Sequence, residues 1–135
     1  MRENRLRHVP FFAGIGGFSV GLKKVGFEIV FTNDFEEACI ETLNYIHPKA
    51  TDLHGSITDN PCLEVLSSLE DIDIVSGRFP CQPLSVAGSQ DGFNDLQRGS
   101  RLFDMMEAIS QMPFPPKVLL LENVPNLLRR NEIVI

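Results

Sequence analysis

Short apolar runs alternating with stretches of helical spacing constrain this chain more than any other feature. Residues 9–12 (VPFF), 27–32 (FEIVFT), 71–76 (DIDIVS) and 117–121 (KVLLL) read as strands, with a weaker one within 50–57. Phe18, Val20, Leu22 and Val25 mark a short helix ending at Gly26. Ala38, Ile40, Leu43 and Ile46 mark a second, capped by Asn33 or Asp34 and stopped before Pro48. A third helix over 61–69 has proline in its first turn, and a fourth over 101–112 carries Leu102, Met105, Met106 and Ile109. Strand alternating with helix predicts the α/β class: an open, doubly wound, mostly parallel sheet with helices on both sides. KVLLL, apolar without alternation, predicts a strand buried on both faces.

Composition narrows the function classes. The chain has 135 residues, 43% of them apolar, which allows one core of ordinary size. No apolar run approaches the roughly 18 residues of a membrane span, and MRENRLRHVP has no signal-peptide core. Cys39, Cys62 and Cys81 are too few for a disulfide framework and fit a reducing compartment. Neither the cysteines nor His8, His47 and His54 have zinc-ligand spacing, so no metal is expected. The net charge of −6 argues against a broad basic surface for nucleic acid.

Chemistry-bearing residues collect after the strands. Phe12-Ala13-Gly14-Ile15-Gly16-Gly17 closes the first strand and opens a helix. Ser19 stands where a dinucleotide fingerprint has its third glycine, which disfavours an oxidoreductase domain. Asp34 follows Gly14 by 20 residues, the spacing at which a carboxylate meets ribose hydroxyls, with Phe35 beside it to pack on adenine. After the fourth strand, Pro80 and Pro83 bracket Cys81 and Gln82; alone, the thiol reads equally as a rigidly held nucleophile or as a buried, inert cysteine. Arg78, Arg98 and Arg101 are the nearby cations that would favour its thiolate. Glu122, emerging from the fifth strand beside Asn123, has two readings: a buried, protonated hydrogen-bond donor, or a cap on the following turn.

Together, FAGIGG, GRFPCQPLSVAG and LLLENV resemble, in order and placement, the cofactor loop, catalytic loop and glutamate segment of the C5-cytosine DNA methyltransferases. The resemblance implies the methyltransferase form of the Rossmann-like fold, S-adenosylmethionine as cofactor and DNA as partner. It implies that Cys81 attacks C6 of a flipped-out cytosine, with Glu122 bonded to N3 and Asn123 holding the geometry. Phe12, Gly14 and Gly16 would approach the methionine moiety, Asp34 the ribose, and Phe35 with Ile57 the adenine. Gln82, Ser85, Gln90, Arg98 and Arg101 would belong to the loop that closes over DNA. Ser56 stands where the family has an aspartate on the adenine amino group, Pro10 where it has an acid, and Arg78 where it has a glycine.

The family's arginine motif, target-recognition domain and closing segment are not in the sequence, so residues 1–135 are expected to be the N-terminal part of a catalytic domain. A complementary C-terminal subunit is the implied partner, in a bacterial or phage-like cytoplasm or a eukaryotic nucleus, and no membrane. An inactive remnant or cofactor-binding module is the competing expectation, and RNA cytosine an alternative substrate.

Overall fold

The computed structural model describes residues 5–78 and 100–123. Among these the order is β1 (Arg7–Phe11), α1 (Gly17–Lys24), β2 (Glu28–Ile29), β3 (Phe31–Asp34), α2 (Glu37–Ile46), β4 (Thr51–His54), α3 (Asn60–Ser68), β5 (Ile74–Arg78), α4 (Ser100–Ser110) and β6 (Val118–Glu122). Every described strand pair is parallel, with β2, β1, β5 and β6 side by side in one ladder and β3 beside β4 in another. Only Val30 separates β2 from β3, so the strand predicted over 27–32 is one course of chain with two successive partners. Strand order therefore runs outward from β1 to β4 on one side and from β5 to β6 on the other. The reversal between β1 and β5 is the switch point at which open α/β sheets bind ligands.

The handover at Val30 explains how a proline occupies a central strand. Val30 N–H bonds to His8 O at 3.2 Å; by the same register, a donor at residue 10 would face the Val30 carbonyl. That carbonyl instead accepts Thr51 N–H at 3.1 Å, on the β4 side. Pro10 thus withholds a donor from an oxygen that is already paired, and no buried group is orphaned.

The two faces of the sheet differ in chemistry. Val9, Phe11, Phe31 and Val75 pack with Cys62 and Leu66 of α3 and with Met105, Ala108 and Ile109 of α4. Phe11 and Phe31 meet edge to face, with centroids 6.3 Å apart. α4 lies so close to β5 that a Cβ at Gly77 would fall 2.5 Å from Met105 Sδ. Alternation puts His8, Thr32 and Ser76 on the opposite face, where buried His8 Nε2 and Ser76 Oγ are 2.7 Å apart. Burial, with His47 nearby, pushes the His8 pKa down to about 4.

Local chemistry fixes the helix ends. Gly26, at φ 97°, donates to Lys23 O while Phe27 donates to Leu22 O, closing α1 in a Schellman motif before the chain turns into β2. The expected cap of α2 by Asn33 or Asp34 is corrected: both residues belong to β3, and Glu36 is the N-cap. The burial expected for KVLLL is corrected too. Among the described residues β6 lies at the edge of its sheet, and Leu119, Leu120 and Leu121 are 40%, 36% and 37% exposed.

Candidate active site

The register brings three strand ends level. Phe11 is opposite Gly77, Gly77 is opposite Leu121, and Arg78 is opposite Glu122. The loop after β1 therefore starts beside the ends of β5 and β6.

That loop is held by Asp34. Ala13 N–H bonds to Asn33 O at 2.9 Å, and Gly14 N–H bonds to Asp34 Oδ2 at 2.8 Å. The 20-residue spacing thus has a structural meaning before any ligand is considered: the end of β3 clamps the glycine loop. Asp34 Oδ1 accepts Glu36 N–H at 2.9 Å. Each carboxylate oxygen keeps a lone pair after these bonds, so the group remains able to accept from a diol. Beside it, Phe12 and Phe35 stack with planes 10° apart and centroids 6.3 Å apart, and Phe35 is 37% exposed. An acceptor pair next to an exposed aromatic ring fits a nucleoside, which is the test S-adenosylmethionine has to pass here. Ile15 and Gly17 are exposed on the loop, while Gly16 is buried.

Other predicted residues are distributed differently from expectation. Ile57 is 1% exposed and packs in the core, so its side chain does not face a ligand. Ser56 is turned inward on its own segment, its hydroxyl 2.9 Å from Thr58 Oγ1 and its N–H on Asp59 Oδ2 at 3.0 Å. Arg101, expected at DNA, stacks its guanidinium on Phe35, 4.2 Å from the ring centroid, with Asp104 3.6 Å away. Glu122 is not the buried acid of its first reading: half exposed, it pairs with Arg78 at 2.9 Å. Asn123 directly follows β6. Pro80, Cys81, Gln82, Ser85, Gln90 and Arg98 lie outside the described residues.

Two buried polar groups in this region have roles that the sequence pattern did not assign to them. Buried Asn33 donates from Nδ2 to Leu53 O and Gly55 O, at 3.0 and 2.9 Å, tying β4 and its following turn to the site. Ser19 and His47 form a buried pair behind the glycine loop. An amide or histidine inside an otherwise apolar pattern was the available signal. The remaining cysteines carry no sign of reactivity: burial pushes the Cys62 thiol up to about 11 and also raises that of Cys39.

A parallel sheet reversing beside a glycine loop and an acidic strand end is the arrangement with which open α/β domains take up nucleosides. The chain belongs to the C-5 cytosine-specific DNA methylase family, whose model matches residues 6–134. It is 40% identical over 119 residues to the type II methyltransferase M.PspPI of Psychrobacter, a match covering 88% of this chain and 27% of that protein. M.HhaI of Haemophilus parahaemolyticus is 34% identical over 122 residues, covering 90% and 34%. The chain therefore spans about a third or less of the length of these relatives. In structure it resembles the S. pombe Dnmt2 methyltransferase, with a TM-score of 0.61 and 22% identity over 91% of this chain and 36% of that one.

Proposed function

We propose that this chain carries the cofactor site and nucleophile of an enzyme that methylates C5 of cytosine in DNA. The observation that carries the proposal is the Asp34 clamp on the glycine loop, level with Glu122 and with the strand that leads into FPCQP. S-adenosylmethionine supplies a methyl group on a sulfonium centre. Phe12, Ala13, Gly14, Ile15, Gly16 and Gly17 cradle its methionine end, Asp34 accepts from its ribose, and Phe35 with the turn at Ser56 borders its adenine. The Cys81 thiolate adds to C6 of the base, while Glu122, released from Arg78 and protonated, donates its proton to N3 and so neutralises the charge shifted onto the ring. C5 then gains the methyl group, loses its proton to a base, and the C6–sulfur bond breaks to release Cys81. Pro80 and Asn123 hold these two groups; Gln82, Ser85, Gln90 and Arg98 face the DNA.

A C-terminal part, on the same chain or a partner subunit, completes the domain and covers the exposed apolar side chains of β6. Such an enzyme works in the compartment that holds its DNA, the cytoplasm of a bacterium. Calorimetry with S-adenosylmethionine tests the cofactor site, and methyl-labelled cofactor with DNA, with and without a complementing C-terminal half, tests the transfer. Binding lost in Asp34→Ala and transfer lost in Cys81→Ser are the expected results. No binding by the folded parent, or full transfer by Cys81→Ser, overturns the proposal. A second reading, a catalytically silent cofactor-binding module, draws on the Arg78–Glu122 pair, which occupies the carboxylate that catalysis needs. Binding without transfer to DNA or RNA, even with the complementing half present, would select it.

A further inference from the structure

We propose that Ser19 and His47 are positioning residues that lock the glycine loop in its ligand-ready shape. The inference rests on the cofactor role given above to residues 12–17 and adds two side chains outside that set. Ser19 Oγ donates to Gly16 O at 3.0 Å, at the residue that leads into α1. A hydroxyl has a single proton, so the 2.7 Å bond between Ser19 Oγ and His47 Nε2 is donated by the imidazole. The donors thus run in one direction, from His47 Nε2–H to Ser19 and from Ser19 to the Gly16 carbonyl. This fixes the tautomer: Nδ1 is left as a lone-pair atom, buried and with no partner among the described residues.

Packing makes the brace stiff. Ser19 is fully buried and His47 only 3% exposed. Gly16 has φ 94°, and a Cβ there would fall 2.7 Å from Ile46 Cδ1 and 2.9 Å from Ser19 Oγ. One turn further along α1, Lys23 Nζ donates to Ile46 O at 2.7 Å. α1 is therefore tied at two levels to the end of α2, where His47 is the C-cap. Asp34 anchors the loop at Gly14, and the Ser19–His47 brace anchors it at Gly16. The first anchor lies on the ribose side and the second toward the methionine arm.

Amide hydrogen exchange on the ligand-free chain is the first test, at a temperature where circular dichroism shows every variant folded. In Ser19→Ala and His47→Leu, loop and first-turn amides over 14–20 should exchange about tenfold faster, the weight of one buried hydrogen bond, with β5 amides unchanged. His47→Gln, whose amide nitrogen falls near the Nε2 position, should restore the parent rates. Nitrogen-15 spectra should show His47 protonated at Nε2 and bare at Nδ1. In calorimetry the two broken variants should lose about tenfold in affinity for S-adenosylmethionine and keep that for adenosine, which lacks the methionine arm. Unchanged loop exchange in Ser19→Ala, a proton on Nδ1, or equal losses for both ligands would overturn the proposal. A parent that binds no S-adenosylmethionine counts against the cofactor role alone, and the exchange and tautomer results still decide the brace.

Discussion

The two halves of the strand-end edge are built to different standards. On the β1–β3 side the Asp34 carboxylate, the Asn33 amide and the Ser19–His47 pair each bond to backbone of the loops they border, and most of these groups are buried or half-buried. On the β5–β6 side the strand ends carry an ion pair between exposed groups, on a strand whose residues are all exposed. The first half is organised by residues within this chain. The second presents apolar surface and charge that its own described neighbours do not cover. A binding site can be pre-shaped by local hydrogen bonds, whereas a catalytic site that must enclose a base needs walls from further elements.

Core truncation gives the sharpest contrast. Phe11→Ala should cost about 3–5 kcal/mol in urea unfolding, against under about 1 kcal/mol for Leu120→Ala in β6. Equal costs would erase the difference between the two halves. Acid comes next. His8 stays neutral in the folded chain down to about pH 4 but takes a proton near 6.5 when unfolded. Stability should therefore be full above pH 6.5, fall by about 3 kcal/mol as the pH drops to 4, and change no further from this group below that. His47, also held down by burial and by Lys23, acts in the same direction. Urea midpoints from pH 8 to 4 check the sign, and a flat profile would contradict the buried polar face.

Asp34→Ala should cost about 1–3 kcal/mol, since the Gly14 and Glu36 N–H groups lose their acceptor. Arg78→Ala should shift stability by no more than about 1 kcal/mol, as exposed pairs do. If the ordering of these two reverses, the β5–β6 end is better organised than its exposure indicates.

Periodicity carried the fold. The helices, the parallel strands and the glycine loop lie within a few residues of where apolar spacing puts them, because those patterns report burial along one chain segment. Phe12 stacks on Phe35 and Gly14 bonds to Asp34, contacts within the chain that the spacing, read for a ribose and an adenine, did not foresee. What failed depends on neighbours far along the chain. KVLLL reads the same whether a sheet face is covered or open, and here it is open. Arg101 sits one helical turn from Asp104, yet its partner Phe35 is brought by another strand end. Asn33 looked like a cap because short polar residues favour caps; its buried place beside Leu53 and Gly55 exists only once β3 and β4 pair.

The register between β1 and β5 also sets a clock. His8 pairs with Ile74, and Arg7 with a side chain 66 positions later. At about 5–20 residues per second, a ribosome takes on the order of 3 to 13 s to deliver that partner. Through that interval an apolar strand waits with an open edge, the arrangement most prone to join another chain. Pro10 does not guard that edge, because its missing N–H lies on the opposite side of the strand, toward Val30; the groups left waiting are those of Arg7 and Val9.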